Sequence, residues 1–523
     1  MVGLLGLALW QAADRPLGAD LDRLGGWLAA RRRRVLAGLI ALSTVASLAV
    51  NLRILGGVPH TQDEIAYLFQ ARTLASGRLF VHSPPDGLAS AFDTVFLVRD
   101  GERWYGKYPF GWPLVLALGV LVGLSPMVNP ALNGLALLLF HRLLARHWSA
   151  AWALAGTALL ALSPFFVMMG ASFLSHPLCL VLLLVMIAAV ERIWIELSSA
   201  GLAVGAAALG AASGLMVTAR PFDALALTVP IALAVAPALA RAGRRSVVAV
   251  ALLVALPLSA VALTLAYNHA LTGDCWLTPF LKHSPTDRPG FGPRVGTFDA
   301  EGHNFYKASM NLAFNMLALN EDLFGWPGLG LVVVGLGLVL PAMWIPVERL
   351  LLAAAGGIYL LYFMFMGHGV AFGARYYHVL LPFYVWFALR AFGELERRFG
   401  QRGGRWLKLF VPSLGLVSLL TYVPGRLDFM HDYWNVLSRP KELVSDLTRR
   451  PAVVVVPAVK LRGFRDLFDS FFTLNRIDPT LGDVVFVRDG YWVRGDRLRL
   501  TFPDREILRI PPGRLEPLLD QPK

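Results

Sequence analysis

The chain has 523 residues, 56% of them hydrophobic and only 16% charged, and its mean hydropathy is +0.57. A soluble globular protein is excluded, because apolar runs of about 18–22 residues recur along the first four fifths, the length that crosses a hydrocarbon layer roughly 30 Å thick. The net charge of +13 sits in short Arg and Lys clusters between those runs, a pattern set by membrane topology, so no nucleic-acid partner is expected.

Residues 1–34 end in the basic block Arg31–Arg34, directly before a first span over 35–52. The positive-inside rule holds that block in the cytoplasm and delivers His60 to the outer side. There the stretch HTQDEIAYLFQA (60–71) places two adjacent acids, Asp63 and Glu64, against a hydrophobic periodicity. Thr61 and Glu64 have the spacing of a capping box, with Thr61 as N-cap and Glu64 reaching back. Acids in a first turn also suit the helix dipole. Ile65, Leu68, Phe69 and Leu74 mark one face of a helix that stops at Ser76-Gly77. A glutamine also serves at the Glu64 position of a capping box, so Glu64→Gln is expected to be tolerated.

The same outer loop, 53–111, goes on to RWYGKYPFGWP, in which Lys107 stands between Tyr105 and Tyr108. The run WPLVLALGVLVGL (112–124) is too short to span and reads as interfacial or re-entrant. Further spans are predicted at 127–145, 149–169, 174–191, 200–219, 222–240, 246–267, 327–346, 349–367, 377–394 and 405–423, about eleven in all. Arg-bearing turns alternate with turns of the other side, which include a second long loop, 268–326. Loops beyond about 12–15 residues are usually functional, and both long loops fall on the outer side. Of the two cysteines, Cys179 lies in an apolar run, and the pair gives neither a disulfide framework nor metal-ligand spacing. An odd number of spans leaves residues 425–523 outside. That tail has strand-like runs, AVVVVP, DVVFVRDGYWV and DRLRLTF, and predicts a small α/β or β-rich domain. The fold class is an all-α polytopic membrane protein, 35–424, with that domain appended.

Set in this order, the motifs resemble those of the GT-C glycosyltransferases, in particular the family that contains protein O-mannosyltransferases and bacterial aminoarabinose transferases (glycosyltransferase family 39 type). Their large first outer loop carries an acidic motif, Asp-Glu-x-x-Tyr…Ala…Gly, and DEIAYLFQARTLASGRL is similar to it. Their Lys-Pro-Pro motif, which opens an interfacial helix, has its counterpart in YGKYPFGWPLVLALG. ASGLMVTARPFDAL resembles their Gly-rich span with a terminal basic residue and Pro, and GARYYHVLLP resembles their late Arg-Tyr motif. The likeness covers about 1–425. It departs at Lys107, followed here by Tyr108-Pro109. It departs again at Ser175-His176-Pro177, where many relatives carry a second acid.

The resemblance implies inverting transfer of a sugar from a polyprenyl-phosphate carrier to a hydroxyl of a glycan, lipid or protein acceptor, at the outer face of a bacterial inner membrane. It implies no cofactor and no indicated metal. Such a reaction needs a base for the acceptor proton and positive charge for the departing phosphate. The catalytic acids are then Asp63, as base, and Glu64. The phosphate ligands are Lys107, Arg375 and Arg220, although Arg220 also has a local partner in Asp223. The substrate-lining candidates are Tyr67, Tyr105, Tyr108, His176, His368 and Tyr376. Three other readings stay open. A secondary transporter would carry mid-membrane charge on broken helices, often in repeated halves. A polysaccharide polymerase or ligase also uses polyprenyl-linked donors, and a membrane scaffold would use its tail to bind a partner.

Overall fold

The structure, a computed structural model, describes every residue except 1, 13–16, 85–86, 297–300, 341–342, 446–450, 459–465, 495, 512–513 and 515–523. It is a helical membrane protein. Among the described residues seven helical stretches are long and apolar enough to cross a membrane, or eight if the pair Ala150–Ala161 and Pro164–Ala171, bent by 53°, is one span. Two of the stretches are double. Pro221–Thr272 divides at Gly243 (φ 56°), and the helix Leu381–Val417 breaks at Gly400 (φ 57°, ψ −149°). Both are conformations that a side chain disfavours. Each predicted span overlays a helix, but 327–346 retains only Gly330–Val339, because Gly328 turns the chain with φ 69° just before it. Residues 112–124 form the short helix Gly111–Leu121, below spanning length as expected.

Ion pairs on buried glutamates close one end of the bundle. Glu348 takes Arg390 at 2.5 Å and the Trp386 indole at 3.0 Å, while Glu191 takes Arg146 and His147, each at 2.5 Å. The long loops gather at the other end. The first holds a small antiparallel sheet, with β1 (Val81–His82), β2 (Leu97–Asp100) and β3 (Arg103–Gly106) in the order β1-β3-β2. The second long loop lies across it. Lys282 pairs with Asp100, His283 Nε2 meets the Val95 carbonyl at 2.5 Å, and Arg103 donates to the Ala270 carbonyl at 3.1 Å.

The tail is an α/β unit. Its parallel sheet, in the order β5-β4-β6, comprises β4 (Ala452–Val456), β5 (Val484–Arg488) and β6 (Glu506–Arg509). The central β4, AVVVV, is buried along its whole length, as a parallel strand covered on both faces must be. Two strand expectations are corrected. DRLRLTF folds as the helix Arg497–Thr501, and YWV belongs to the helix Tyr491–Arg494; the third strand is EILR instead. Period-2 alternation over so short a segment fits a single helical turn equally well, and Leu498 buries its side chain from that turn.

Candidate active site

Helix Gln62–Ala75 opens with both halves of the predicted capping box. The Glu64 amide donates to Thr61 Oγ1 at 3.3 Å, and Glu64 Oε2 accepts from the Thr61 amide at 2.7 Å and the His60 amide at 2.9 Å. Glu64 Oε1 adds a bond that a capping box does not include, accepting from the Phe173 amide at 2.6 Å. Burial pushes this carboxyl up, and the backbone amides work against that rise. Glu64 thus ties the helix to the 172–175 turn, with both oxygens occupied. This changes the expectation for Glu64→Gln. An amide NH2 would have to face one of those N–H donors, leaving buried polar groups unpaired at a cost of about 1–3 kcal/mol. Thermal unfolding of the purified variant is expected to show a loss larger than that of Thr61→Ala, which removes one cap at about 1 kcal/mol. A Glu64→Gln melt equal to wild type would remove the tie.

Asp63, freed from capping, points into the site. Its Oδ1 accepts from the Tyr108 hydroxyl at 2.7 Å, and its Oδ2 lies 3.3 Å from Arg375 Nη1. Burial alone would raise its carboxyl, but Arg375, the Tyr108 hydroxyl and Lys107 together bring it down to about 2. Tyr67, one turn along the helix, packs its ring 4.5 Å from that of Tyr108.

Lys107 follows β3. Although it belongs to the first long loop, it is only 3% exposed. Its ammonium lies 3.6 Å over the Phe96 ring, 4.4 Å over Phe280 and 5.4 Å over Tyr108. Among the described residues the ammonium makes no hydrogen bond or ion pair, while the Lys107 backbone amide donates to the Phe96 carbonyl at 3.1 Å. Burial lowers its pKa, with Asp63 and Asp287 opposing. The rings stabilise the cation through their negative faces.

Arg375 starts a short 3-10 turn, Arg375–Leu380. The preceding loop needs Gly373 at φ 110°, where a side chain would run into the Phe165 ring at 2.6 Å. Arg375 Nε is buried and has no partner among the described residues. Tyr376 lies between two guanidinium groups, 5.3 Å from Arg375 and 5.8 Å from Arg220, and stacks on Tyr362 at 4.3 Å. Arg220 itself is engaged through all three of its nitrogens. Its Nε donates to Asp223 at 2.9 Å, Nη2 to the Tyr362 hydroxyl at 2.5 Å and Nη1 to Ser175 Oγ at 3.4 Å. The local Asp223 pair therefore prevails over a free phosphate ligand.

The remaining candidates divide. His176 is buried beside Ser175, and neither ring nitrogen has a partner among the described residues. His368 is exposed and caps its own turn, Nδ1 accepting from the Val370 amide at 3.1 Å. Tyr105 does not join the site. Strand alternation turns it to the opposite face of β3 from Trp104, into a separate cluster with Val98, Tyr267 and Leu271. Sequence reasoning missed Phe96, Phe280 and Tyr362, none of which carries a local signal. Among the described residues no three His, Cys, Asp or Glu side chains are grouped to hold a metal ion.

No model of a protein family matches the sequence, and no curated protein matches it. Solved structures do. The crystal structure of ArnT from Cupriavidus metallidurans bound to undecaprenyl phosphate aligns with a TM-score of 0.54 at 14% identity, covering 93% of this chain and 90% of that one. The apo form of the same protein gives 0.53 at 15% identity, with 91% and 89% covered. The chain has the GT-C fold. A GT-C fold accounts for the concentration of polar side chains at one end of an apolar bundle, where the first long loop supplies Asp63 and Lys107 and the late spans supply Arg375.

Proposed function

We propose that this protein is a membrane glycosyltransferase that moves a sugar from a polyprenyl-phosphate carrier to an acceptor hydroxyl, with inversion, at the outer face of the membrane. One observation carries the reading. A carboxylate, Asp63, lies between a phenol and a guanidinium, and an ammonium in direct contact with no acid among the described residues, Lys107, is close by. Of the two cations only Arg375 has a carboxylate in contact, and Asp63 and Asp287 act on Lys107 from beyond contact distance, in a buried setting where charge is felt strongly. A phosphate monoester or diester is the chemistry that fits. Undecaprenyl phosphate, the lipid held by ArnT, is the model for the carrier.

The residues divide the work as follows. The acceptor hydroxyl gives its proton to Asp63 while its oxygen attacks the anomeric carbon from the face opposite the phosphate. The bond from that carbon to the phosphate oxygen breaks, and its electron pair leaves with the carrier. Lys107 and Arg375 stabilise the charge gathering on the phosphate. Arg suits two-point contact with phosphate oxygens and Lys a compact one. A carboxyl held near 2 is a poor base. A phosphate drawing on Arg375 and Lys107 weakens their hold on Asp63 and raises its carboxyl toward a useful range. Arg220, already paired, supports the Tyr362–Tyr376 platform. Glu64 fixes the start of the helix. No metal or cofactor is assigned a role.

The experiment is transfer from labelled polyprenyl-phospho-sugars by the purified protein in nanodiscs. Label appearing in a new glycosidic product with release of polyprenyl phosphate supports the reading; label crossing the membrane unchanged would replace it with transport. Orientation has its own check. In a Cys275→Ser background, Arg78→Cys is expected to react with an impermeant thiol reagent added to intact cells, and Arg244→Cys is not. Labelling of Arg244→Cys from outside would overturn the topology.

A further inference from the structure

The turn that carries Arg375 and the approach to Asp63 are far apart in the chain, yet one buried residue, Tyr433, touches both. The Phe372 amide donates to the Tyr433 hydroxyl at 3.0 Å, just ahead of Arg375. A ring nitrogen of His60 lies 3.0 Å from the Tyr433 carbonyl oxygen, just ahead of Asp63, and the other ring nitrogen lies 2.9 Å from the Leu55 carbonyl. The Phe372 and Tyr433 rings pack 4.8 Å apart.

The backbone on both sides of this contact is held in a conformation that side chains resist. Phe372 has φ 57°, Asp432 50°, Trp434 56° and Asn435 58°. Bulky residues enter the left-handed region only where the surroundings over-determine it, and such positions cluster at working sites. Here the bracing is explicit. Asp432 Oδ1 accepts from the Ser438 amide at 2.6 Å, and Ser438 Oγ accepts from the Asp432 amide at 3.1 Å. The Leu437 amide donates to Ser470 Oγ at 3.0 Å, which fastens the loop to the C-terminal unit.

We infer that Tyr433 is a positioning residue that sets the distance between Asp63 and Arg375, its hydroxyl fixing the turn that presents the guanidinium and its carbonyl fixing the entry to the helix that presents the carboxylate. Among the described residues no hydrogen bond, ion pair or ring contact joins Tyr433 to either side chain. The inference rests on the reading of Asp63 and Arg375 as the transfer site. It gives the C-terminal unit a part in that site without placing any of its atoms there.

The test is Tyr433→Phe in the full chain in nanodiscs, with undecaprenyl phosphate as the binding probe and amide hydrogen exchange as a second readout. The variant keeps the ring and removes the bond to Phe372. Binding is expected to weaken about tenfold, the scale of a buried donor left unpaired. In an Arg375→Ala background the same change is expected to cost less than about twofold, because residues that act through one another are not additive. Exchange is expected to quicken across 368–376 and not in the distant helix Ser199–Ala219. An equal loss in both backgrounds, or unchanged exchange at 368–376, overturns the inference. If the wild-type protein does not bind undecaprenyl phosphate, the transfer-site reading fails, and the exchange result alone decides whether Tyr433 holds the turn.

Discussion

Asp63→Asn is expected to lower sugar transfer by about two to four orders of magnitude, the usual weight of a positioned general base. The substitution keeps an acceptor oxygen for the Tyr108 hydroxyl, so local geometry has little reason to change. Charge does change. Asp63 is the only carboxylate in contact with Arg375 among the described residues, and Lys107 is close enough to help hold it ionised. Removing it leaves two buried cations with less to balance them, and two effects follow. Stability is expected to fall, since an unpaired buried charge is costly. Undecaprenyl phosphate is expected to bind at least as tightly as to wild type, because the incoming anion no longer competes with a carboxylate. A dead enzyme with retained or improved lipid binding is therefore the signature of a base. Normal transfer by the purified Asp63→Asn variant would sink the assignment, and loss of lipid binding in step with activity would make Asp63 a structural ion-pair partner only.

Lys107→Met is expected to weaken binding of undecaprenyl phosphate by about ten- to a hundredfold, because a charge-assisted contact is worth about 1.5–3 kcal/mol. Its effect on stability is expected to have the opposite sign to that of most buried substitutions. Wild-type Lys107 is a desolvated ammonium whose pKa burial has lowered, held over rings rather than against an acid. Methionine has similar length, fills the cage of Phe96, Phe280 and Tyr108 and needs no partner. The melting temperature is expected to stay level or rise while function falls, the usual trade where a site stores an unfavourable charge. The two measurements, lipid affinity and thermal unfolding, are made on the same preparation. Wild-type affinity in Lys107→Met would show that the amine does not meet the phosphate, and a large drop in melting temperature would show that the cage depends on the cation.

What was legible in the sequence was what is local. Thr61, Asp63 and Glu64 lie within one helical turn, so capping geometry and the free acid follow from spacing. Arg220 and Asp223 are an i, i+3 pair and find each other for the same reason. Hydropathy located the spans because a bilayer imposes their length. The sequence alone did not show groups brought together from afar. Asp63 meets Arg375 across 312 residues, and the cage around Lys107 borrows Phe280 from the second loop. Phenylalanines in an apolar chain carry no mark of that use. Tyr105 was misassigned because a stretch read as loop has no faces, whereas β3 has two. Glu64 was taken as exchangeable for glutamine because the Phe173 amide that occupies its second oxygen lies 109 residues away.

The grip of the C-terminal unit on the Asp63 helix bears on how the molecule is made. Arg72 donates to the Thr473 carbonyl at 2.6 Å, the Gln62 side-chain Nε2 donates to Asp469 Oδ2 at 3.4 Å, and Phe69 packs against Phe472 at 6.0 Å between ring centres. The Arg72 partner lies 401 residues further along the chain. The helix bearing the acid leaves the ribosome 401 residues ahead of the surface that completes its packing. While the intervening spans are made and inserted, that helix has its Phe69 and Arg72 flank uncovered. A chain interrupted before the last sheet forms has its spans but lacks this support for its acid, so the helix is fully packed only once the C-terminal unit has been made.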